Sequence, residues 1–134
     1  LANRQNVQAK VVEALTAAGG SPDRIVLDPG FGFAKKAEHN WELLRRLDEV
    51  VALGHRVVVG TSRKTFLGLV GRTPETARPP LERDVVTAAT TVHVARHGVW
   101  CVRVHDARSS ADAVRVAARW SASRAPGRPG GPPR

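Results

Sequence analysis

The amino-acid sequence predicts an α/β protein in which three short parallel strands alternate with helices. The strands are predicted from apolar runs at residues 24–27, 56–60 and 99–104. Each run is continuous rather than alternating, which is typical of parallel strands covered on both faces. A polar loop and a segment with helical spacing of apolar residues follow each run. Such units form an open sheet or a (β/α)8 barrel. Since a barrel needs about 250 residues, this chain can supply only three of its strands.

Helical patterns flank all three runs. The first of them places Val7, Val11 and Leu15 on one face, as in an amphipathic helix. Gly54 and Gly98 follow later patterns and are predicted to end those helices as C-caps. The predicted helices cover residues 4–18, 40–53, 65–70, 82–97 and 109–120.

The two ends of the chain differ from its middle. Residues 125–134 are rich in Pro, Gly and Arg. We therefore predict one folded segment over residues 1–120 and a disordered tail over residues 121–134. The chain opens with Leu1 inside a helical pattern, from which we expect it to be part of a longer protein.

Composition narrows the classes of partner. No apolar run approaches the roughly 20 residues that span a bilayer, so no membrane partner is expected. A single cysteine, Cys101, fits a reducing compartment, and we expect a cytoplasmic location. The net charge of +9 suits an anionic ligand. Because the basic residues are scattered and the aromatic content is only 4%, with no Tyr, a nucleic-acid partner is not expected.

Polar side chains follow each apolar run at its carboxyl end. Asp28 follows the first run, Ser62 and Lys64 follow the second, and Arg103 and His105 lie at the end of the third. The carboxyl ends of parallel strands meet at one edge of the sheet, where loops and helix N-termini bind ligands. We therefore expect these side chains to lie close together.

Each of these residues also has a purely structural interpretation. Asp28 before Pro-Gly suits a turn, but a carboxylate there can also accept two hydrogen bonds from a planar amidine-like edge. Ser62 can be a helix cap followed by two solvated cations, Arg63 and Lys64. Two cations at a helix N-terminus are unfavourable for its dipole, which favours an anionic or electron-rich partner.

The third strand offers the same choice. Arg103 and His105 point the same way, and a buried Arg must be paired. Its partner is either a carboxylate, Asp106 or Asp84, or a bound anion such as a diphosphate. Two other histidines lie four residues apart on a predicted helix, but no Glu or Cys completes a ligand set, so no metal site is predicted.

Four segments together resemble a known family. The sequence is similar to the C-terminal half of dihydropteroate synthase over about residues 5–120. The resemblance implies a (β/α)8 barrel whose sixth, seventh and eighth strands are the three runs. It also implies condensation of 6-hydroxymethyl-7,8-dihydropterin diphosphate with 4-aminobenzoate, a sulfonamide-sensitive step of folate synthesis. The segments are Asp28-Pro-Gly-Phe-Gly-Phe33, His39-Asn40, Gly60-Thr-Ser-Arg-Lys-Thr-Phe-Leu-Gly68 and Arg103-Val-His-Asp106.

The resemblance assigns substrate-binding positions, carried over residue by residue. It implies that Asp28 binds the amino-pyrimidine edge of the pterin and that Lys64 bonds the pterin ring. Arg103 covers the pterin and, with His105, holds the diphosphate. The residues implied to line the 4-aminobenzoate side are Phe33, Ser62 and Thr65.

The resemblance also implies parts that this sequence does not contain. The Mg²⁺-binding asparagine and the mobile loops of the family belong to its N-terminal half. We therefore expect no metal ligand here, no turnover by this chain alone, and a homodimer only in the full-length form. Two alternatives stay open: a non-catalytic pterin-binding paralogue, and a domain resembling the pterin-dependent methyltransferases.

Overall fold

A computed structural model of the chain describes residues 2–32 and 36–122. Phe33 and most of the predicted disordered tail lie outside the described residues. The strands are β1 (Val26–Leu27), β2 (Arg56–Val59) and β3 (Cys101–Val102). The α-helices are α1 (Ala2–Ala17), α2 (Ala37–Arg45), α3 (Leu47–Val51), α4 (Thr65–Gly68), α5 (Asp84–Arg96) and α6 (Ala107–Ala122). Short 3-10 helices cover Pro22–Arg24, Pro74–Thr76 and Pro80–Arg83.

The three strands form one parallel sheet in the order β1-β2-β3. Val26 is in register with Arg56, and Val58 with Cys101. Strands adjacent in sequence are thus adjacent in space, with a helical connection between them. The predicted α/β class and parallel arrangement are confirmed. All three strands end at the same edge of the sheet, which brings their following loops together.

The core lies around β2. Val57 and Val59 are each 1% exposed and pack against helices α2 to α5. Val26 of β1 is 40% exposed, so the expectation that every strand is covered on both faces is wrong for β1. The apolar face of α1 is also about half exposed, at Val7 and Val11 among others. The centre of the sheet is therefore well packed, while its β1 side remains open.

The helix predicted over residues 40–53 is in fact two helices. α2 begins at Ala37, and the backbone of Arg46 leaves helical geometry at φ −107° and ψ 27°. The Arg46 guanidinium donates to both carboxylate oxygens of Glu49 across this break. Among the described residues, no helix is long and apolar enough to cross a membrane.

Candidate active site

The loop after β1 holds Asp28 at the edge of the sheet. Asp28 Oδ1 accepts a hydrogen bond from the backbone N–H of Gly30 at 2.8 Å, within a turn in which Gly30 has a φ of 69°. Gln8 of α1 donates to the backbone carbonyl of Asp28 at 3.1 Å. The carboxylate is therefore held by its own turn, and the backbone of Asp28 is held by a helix that precedes the strand. Its side chain is 38% exposed and open to a ligand.

A buried asparagine fixes the other end of this loop. Asn40 is 1% exposed, and its Oδ1 accepts from the backbone N–H of Gly32 at 2.8 Å. Its Nδ2 donates to the carbonyl of Lys36 at 3.3 Å. Asn40 belongs to one of the segments that carry the family resemblance, but its role in holding this loop is not evident from the sequence. The sequence feature that points to this role is a polar residue among the apolar residues of a predicted helix.

The loop after β2 is held in an unusual conformation at Arg63. Its φ is +58°, a left-handed value that is uncommon for residues other than glycine. The guanidinium donates to both carboxylate oxygens of Asp84 at 2.8 and 2.7 Å. Its backbone N–H donates to Thr87 at 3.3 Å, and its carbonyl accepts from Arg83 at 2.8 Å. The interpretation of Arg63 as a solvated cation is therefore wrong.

The ion pair shifts the protonation of both partners. Hydrogen bonding to Asp84 raises the pKa of Arg63, against the opposing effect of desolvation. The same hydrogen bond, with the guanidinium charge, lowers the pKa of Asp84. Both groups are therefore ionised at neutral pH. The pair ties the loop after β2 to the start of α5.

Lys64 connects the loops after β1 and β2. A Cβ atom placed on Gly32 would lie 2.7 Å from Cδ of Lys64, so the lysine stem runs directly over this glycine. Gly32 has a φ of +81°, which also favours glycine. Only a residue without a side chain leaves Lys64 in this position.

Arg103 lies beside Asp28 across the edge of the sheet. Its Nη2 is 3.6 Å from Asp28 Oδ2. The guanidinium rests on Gly60, where a Cβ atom would lie 2.8 Å from Nη2. The predicted structural partners of Arg103 are otherwise engaged, since Asp84 binds Arg63 and Asp106 accepts from Ser109. The carboxylate of Asp28 is thus the partner, and neither Asp106 nor Asp84 is.

Ser62 and His105 form a second contact between the ends of β2 and β3. Ser62 Oγ lies 2.8 Å from Nδ1 of His105 and accepts from the His105 backbone N–H at 3.0 Å. Ser62 is 5% exposed. The hydroxyl therefore binds both the ring and the main chain of the histidine.

These loops surround a cavity of about 660 Å³. Three cationic side chains face it, so the cavity is suited to an anion. Its lining residues are Gly60, Ser62, Arg63, Lys64, Pro80, Arg103, Val104 and His105. A smaller cavity of about 90 Å³ is lined by Gly32, Ala37, Asn40, Thr65, Phe66 and Leu69.

The structure brings most of the predicted residues to one edge. Contacts link Asp28 to Arg103 and Ser62 to His105, and Lys64 lies over the loop that follows Asp28. Thr65 lies apart from these contacts, at the smaller cavity. The expected proximity is confirmed, whereas the individual ligand-binding roles remain predictions.

His, Cys, Asp and Glu side chains are the candidate ligands for a metal ion. Within residues 2–32 and 36–122, no three His, Cys, Asp or Glu side chains gather closely enough to hold a metal ion. His93 Nε2 instead lies 3.0 Å from the carbonyl oxygen of Leu44. The described residues therefore offer no cluster of ligands for a metal ion.

Comparison with known proteins places the chain among pterin enzymes. Residues 2–105 match the family model described as pterin binding enzyme. The dihydropteroate synthase of Mycobacterium leprae is 47% identical over 110 residues, which cover 81% of this chain and 39% of that relative. The chain thus spans well under half the length of this relative.

Solved structures give the same result. Dihydropteroate synthase from Xanthomonas albilineans, in complex with 7,8-dihydropteroate, matches with a TM-score of 0.81 and 33% identity over 93% of this chain and 45% of that chain. The Anaplasma phagocytophilum enzyme, with bound 6-hydroxymethylpterin-monophosphate, matches with a TM-score of 0.82 and 32% identity over 90% of this chain and 45% of that chain.

Proposed function

The chain belongs to the pterin-binding enzyme family, and on this basis we propose that it forms part of a dihydropteroate synthase. Its three strand–helix units then supply the last three strands of a (β/α)8 barrel. The reaction joins 6-hydroxymethyl-7,8-dihydropterin diphosphate to 4-aminobenzoate, giving 7,8-dihydropteroate and diphosphate. Two relatives that match this segment are named dihydropteroate synthase.

One observation carries the proposal. A carboxylate, a lysine and an arginine–histidine couple from three different strand ends surround the same edge of the sheet. A pterin diphosphate needs these groups together. Its amino-pyrimidine edge donates two hydrogen bonds that a carboxylate accepts, while its diphosphate needs cationic donors.

The residues have distinct tasks in the proposed reaction. The C–O bond of the substrate breaks, and its electron pair leaves with the diphosphate. Arg103 and His105 stabilise the departing anion, because fixed donors bind developing charge strongly in a partly enclosed site. The amine of 4-aminobenzoate forms the new C–N bond and loses a proton. Asp28 holds the pterin and stabilises its electron-poor ring.

The remaining expectations concern the longer protein. Thr65 and Phe33 line the 4-aminobenzoate side in this proposal. In this proposal the Mg²⁺ ligand belongs to the N-terminal half of the longer protein, and the ion would supply additional charge for diphosphate departure. Homodimer formation, a cytoplasmic location and binding of sulfonamides follow from the family resemblance.

Replacement of one carboxylate tests the proposal. We expect Asp28→Asn to weaken binding of 6-hydroxymethylpterin monophosphate by about one to two orders of magnitude, the loss expected for hydrogen bonds to a charged group. Asparagine retains the oxygen that accepts from Gly30, so the turn is preserved. The measurement is isothermal titration of the 134-residue chain.

Asp112→Asn is the matched control, because Asp112 lies on the exposed face of α6 in an ion pair with Arg115. It should leave the pterin affinity unchanged. Equal affinity of the Asp28→Asn and unmodified chains would contradict the proposal. Arg103→Ala separates a synthase from a site for an unphosphorylated pterin, since it should weaken binding of the phosphorylated ligand more than binding of the unphosphorylated one.

A further inference from the structure

The contacts of Ser62 bear on which ring nitrogen of His105 carries a proton. A serine hydroxyl donates one hydrogen bond and accepts two. Ser62 Oγ already accepts from the backbone N–H of His105 at 3.0 Å. Within the described part of the chain, the other polar atom in hydrogen-bond reach is Nδ1 of the same residue, at 2.8 Å. Oγ could also accept from a protonated Nδ1, but the proton of this buried hydroxyl would then have no acceptor among the described residues. Donation from Ser62 to Nδ1 satisfies it.

We infer that Ser62 is a positioning residue that donates to Nδ1 of neutral His105 and so fixes the ring proton on Nε2. The inference rests on the proposed function, because Nε2–H then donates to the diphosphate. His105 lines the large cavity together with Arg103. With Nδ1 occupied by Ser62, Nε2 is the ring nitrogen that faces a ligand.

The tautomer matters because the two forms of neutral imidazole treat an anion oppositely. With the proton on Nε2, the ring donates a hydrogen bond to a phosphate oxygen. With the proton on Nδ1, the lone pair of Nε2 faces that oxygen and repels it. Ser62 therefore turns His105 into a donor that does not need a positive charge.

The surrounding charges support this arrangement. Arg63, Lys64 and Arg103 line the same cavity as His105. The nearby carboxylates are engaged, because Asp84 binds Arg63 and Asp106 accepts from Ser109. A hydrogen bond from the ring therefore joins these side chains in binding an anion without needing a charge on the imidazole.

The burial of Ser62 favours the same role. At 5% exposure, its hydroxyl has little room for contacts beyond the histidine. The resemblance implied that Ser62 lines the 4-aminobenzoate side. In the structure its oxygen is engaged with His105, so its effect on a ligand passes through the imidazole ring.

Nitrogen NMR of the chain reads the tautomer directly. Two-bond ¹H–¹⁵N correlation spectra of the ¹⁵N-labelled 134-residue chain, recorded well above the imidazole pKa, should show His105 with unprotonated Nδ1 and protonated Nε2. In Ser62→Ala the two nitrogens should move toward averaged values. Ser62→Thr keeps the hydroxyl and should restore the original pattern. Ser110→Ala removes another buried serine hydroxyl, outside the cavity, and should change nothing.

Titration with inorganic pyrophosphate tests the link to ligand binding. It should shift Nε2 of His105 in the unmodified chain, and Ser62→Ala should weaken this binding roughly fivefold, as expected for one hydrogen bond. Backbone amide spectra of each variant show whether the fold is retained.

The possible results are distinct. A protonated Nδ1 in the unmodified chain, or a Ser62→Ala variant with the same tautomer and the same pyrophosphate affinity, would overturn the inference. If the tautomer is as expected but pyrophosphate has no effect on the unmodified chain, the positioning role stands. In that case the proposed diphosphate site is wrong.

Discussion

At the scale of single residues, two glycines allow the site to form. Gly32 lies under the Lys64 side chain and Gly60 lies under the Arg103 guanidinium. Each permits a close approach that a Cβ atom would block at under 3 Å. The cationic groups of the site are thus placed by the absence of side chains beneath them. Both glycines lie in the segments that carry the family resemblance.

Gly32→Ala tests this placement. We expect two effects: strain of about 1–2 kcal/mol from the left-handed backbone, and displacement of Lys64 that weakens pterin binding about tenfold. Gly54→Ala is the matched control, because Gly54 has a similar φ of +79° but nothing within 4 Å of the added Cβ. It should lose similar stability and no affinity. Chemical denaturation and isothermal titration measure the two effects, and equal pterin affinities of the two variants would contradict the prediction.

The sequence predicted which residues lie close together more accurately than it predicted which of them form ion pairs. Strand ends are marked by apolar runs, so the positions of Asp28 and Arg103 at one edge followed from periodicity. Ion-pair partners depend on backbone angles that periodicity does not report. Arg63 reaches Asp84 from a left-handed backbone conformation. An arginine in a sequence does not predict such a conformation. Arg103 consequently pairs with Asp28.

At the scale of secondary-structure elements, the helix boundaries show the same limit. Gly54 and Gly98 end helical regions with φ values of +79° and +74°, as their composition predicted. The break at Arg46 contains neither Gly nor Pro. It arises where α2 and α3 both pack onto the core through Leu43 and Leu47, and tertiary packing of this kind overrides a continuous helical pattern.

The Arg63–Asp84 pair joins the loop after β2 to α5, and its effect on stability should depend on pH. The folded state lowers the pKa of Asp84 from its ordinary value of 3.8, so the pair contributes fully above that value. The contribution declines as the pH falls below about 3.8 and is lost once the pH passes through the lowered pKa. Asp84→Asn should therefore destabilise the chain at neutral pH, and by less in acid.

Urea unfolding of both chains across this range measures the difference in unfolding free energy. Asp112→Asn is a suitable control, since its ion pair with Arg115 is largely exposed and contributes little. A difference between the Asp84→Asn and unmodified chains that stays constant from neutral to acidic pH would argue against the pair as its source.

At the scale of the whole molecule, the site is open. The sheet of the described residues has three strands, with β1 and β3 at its edges. The Asp28 and Arg103 side chains are 38% and 65% exposed, so water reaches both. Catalysis of the proposed kind needs donors in a site that excludes water.

We therefore expect the 134-residue chain, assayed alone, to form no dihydropteroate from the pterin diphosphate and 4-aminobenzoate. The dihydropteroate synthase of Mycobacterium leprae serves as the positive control under the same conditions. Product formation above the background without enzyme, measured by chromatography, would show that three strands suffice.

The contact between Arg103 and Asp28 has a consequence for selectivity. These two groups partly neutralise each other across 3.6 Å. A ligand that binds only one of these groups leaves the other without an opposite charge nearby. A ligand with hydrogen-bond donors at one end and an anion at the other binds both groups, the donors to Asp28 and the anion to Arg103. Binding thus replaces the contact between Asp28 and Arg103 with two contacts to the ligand. We expect the site to bind a molecule that carries both groups more tightly than molecules that carry only one of them.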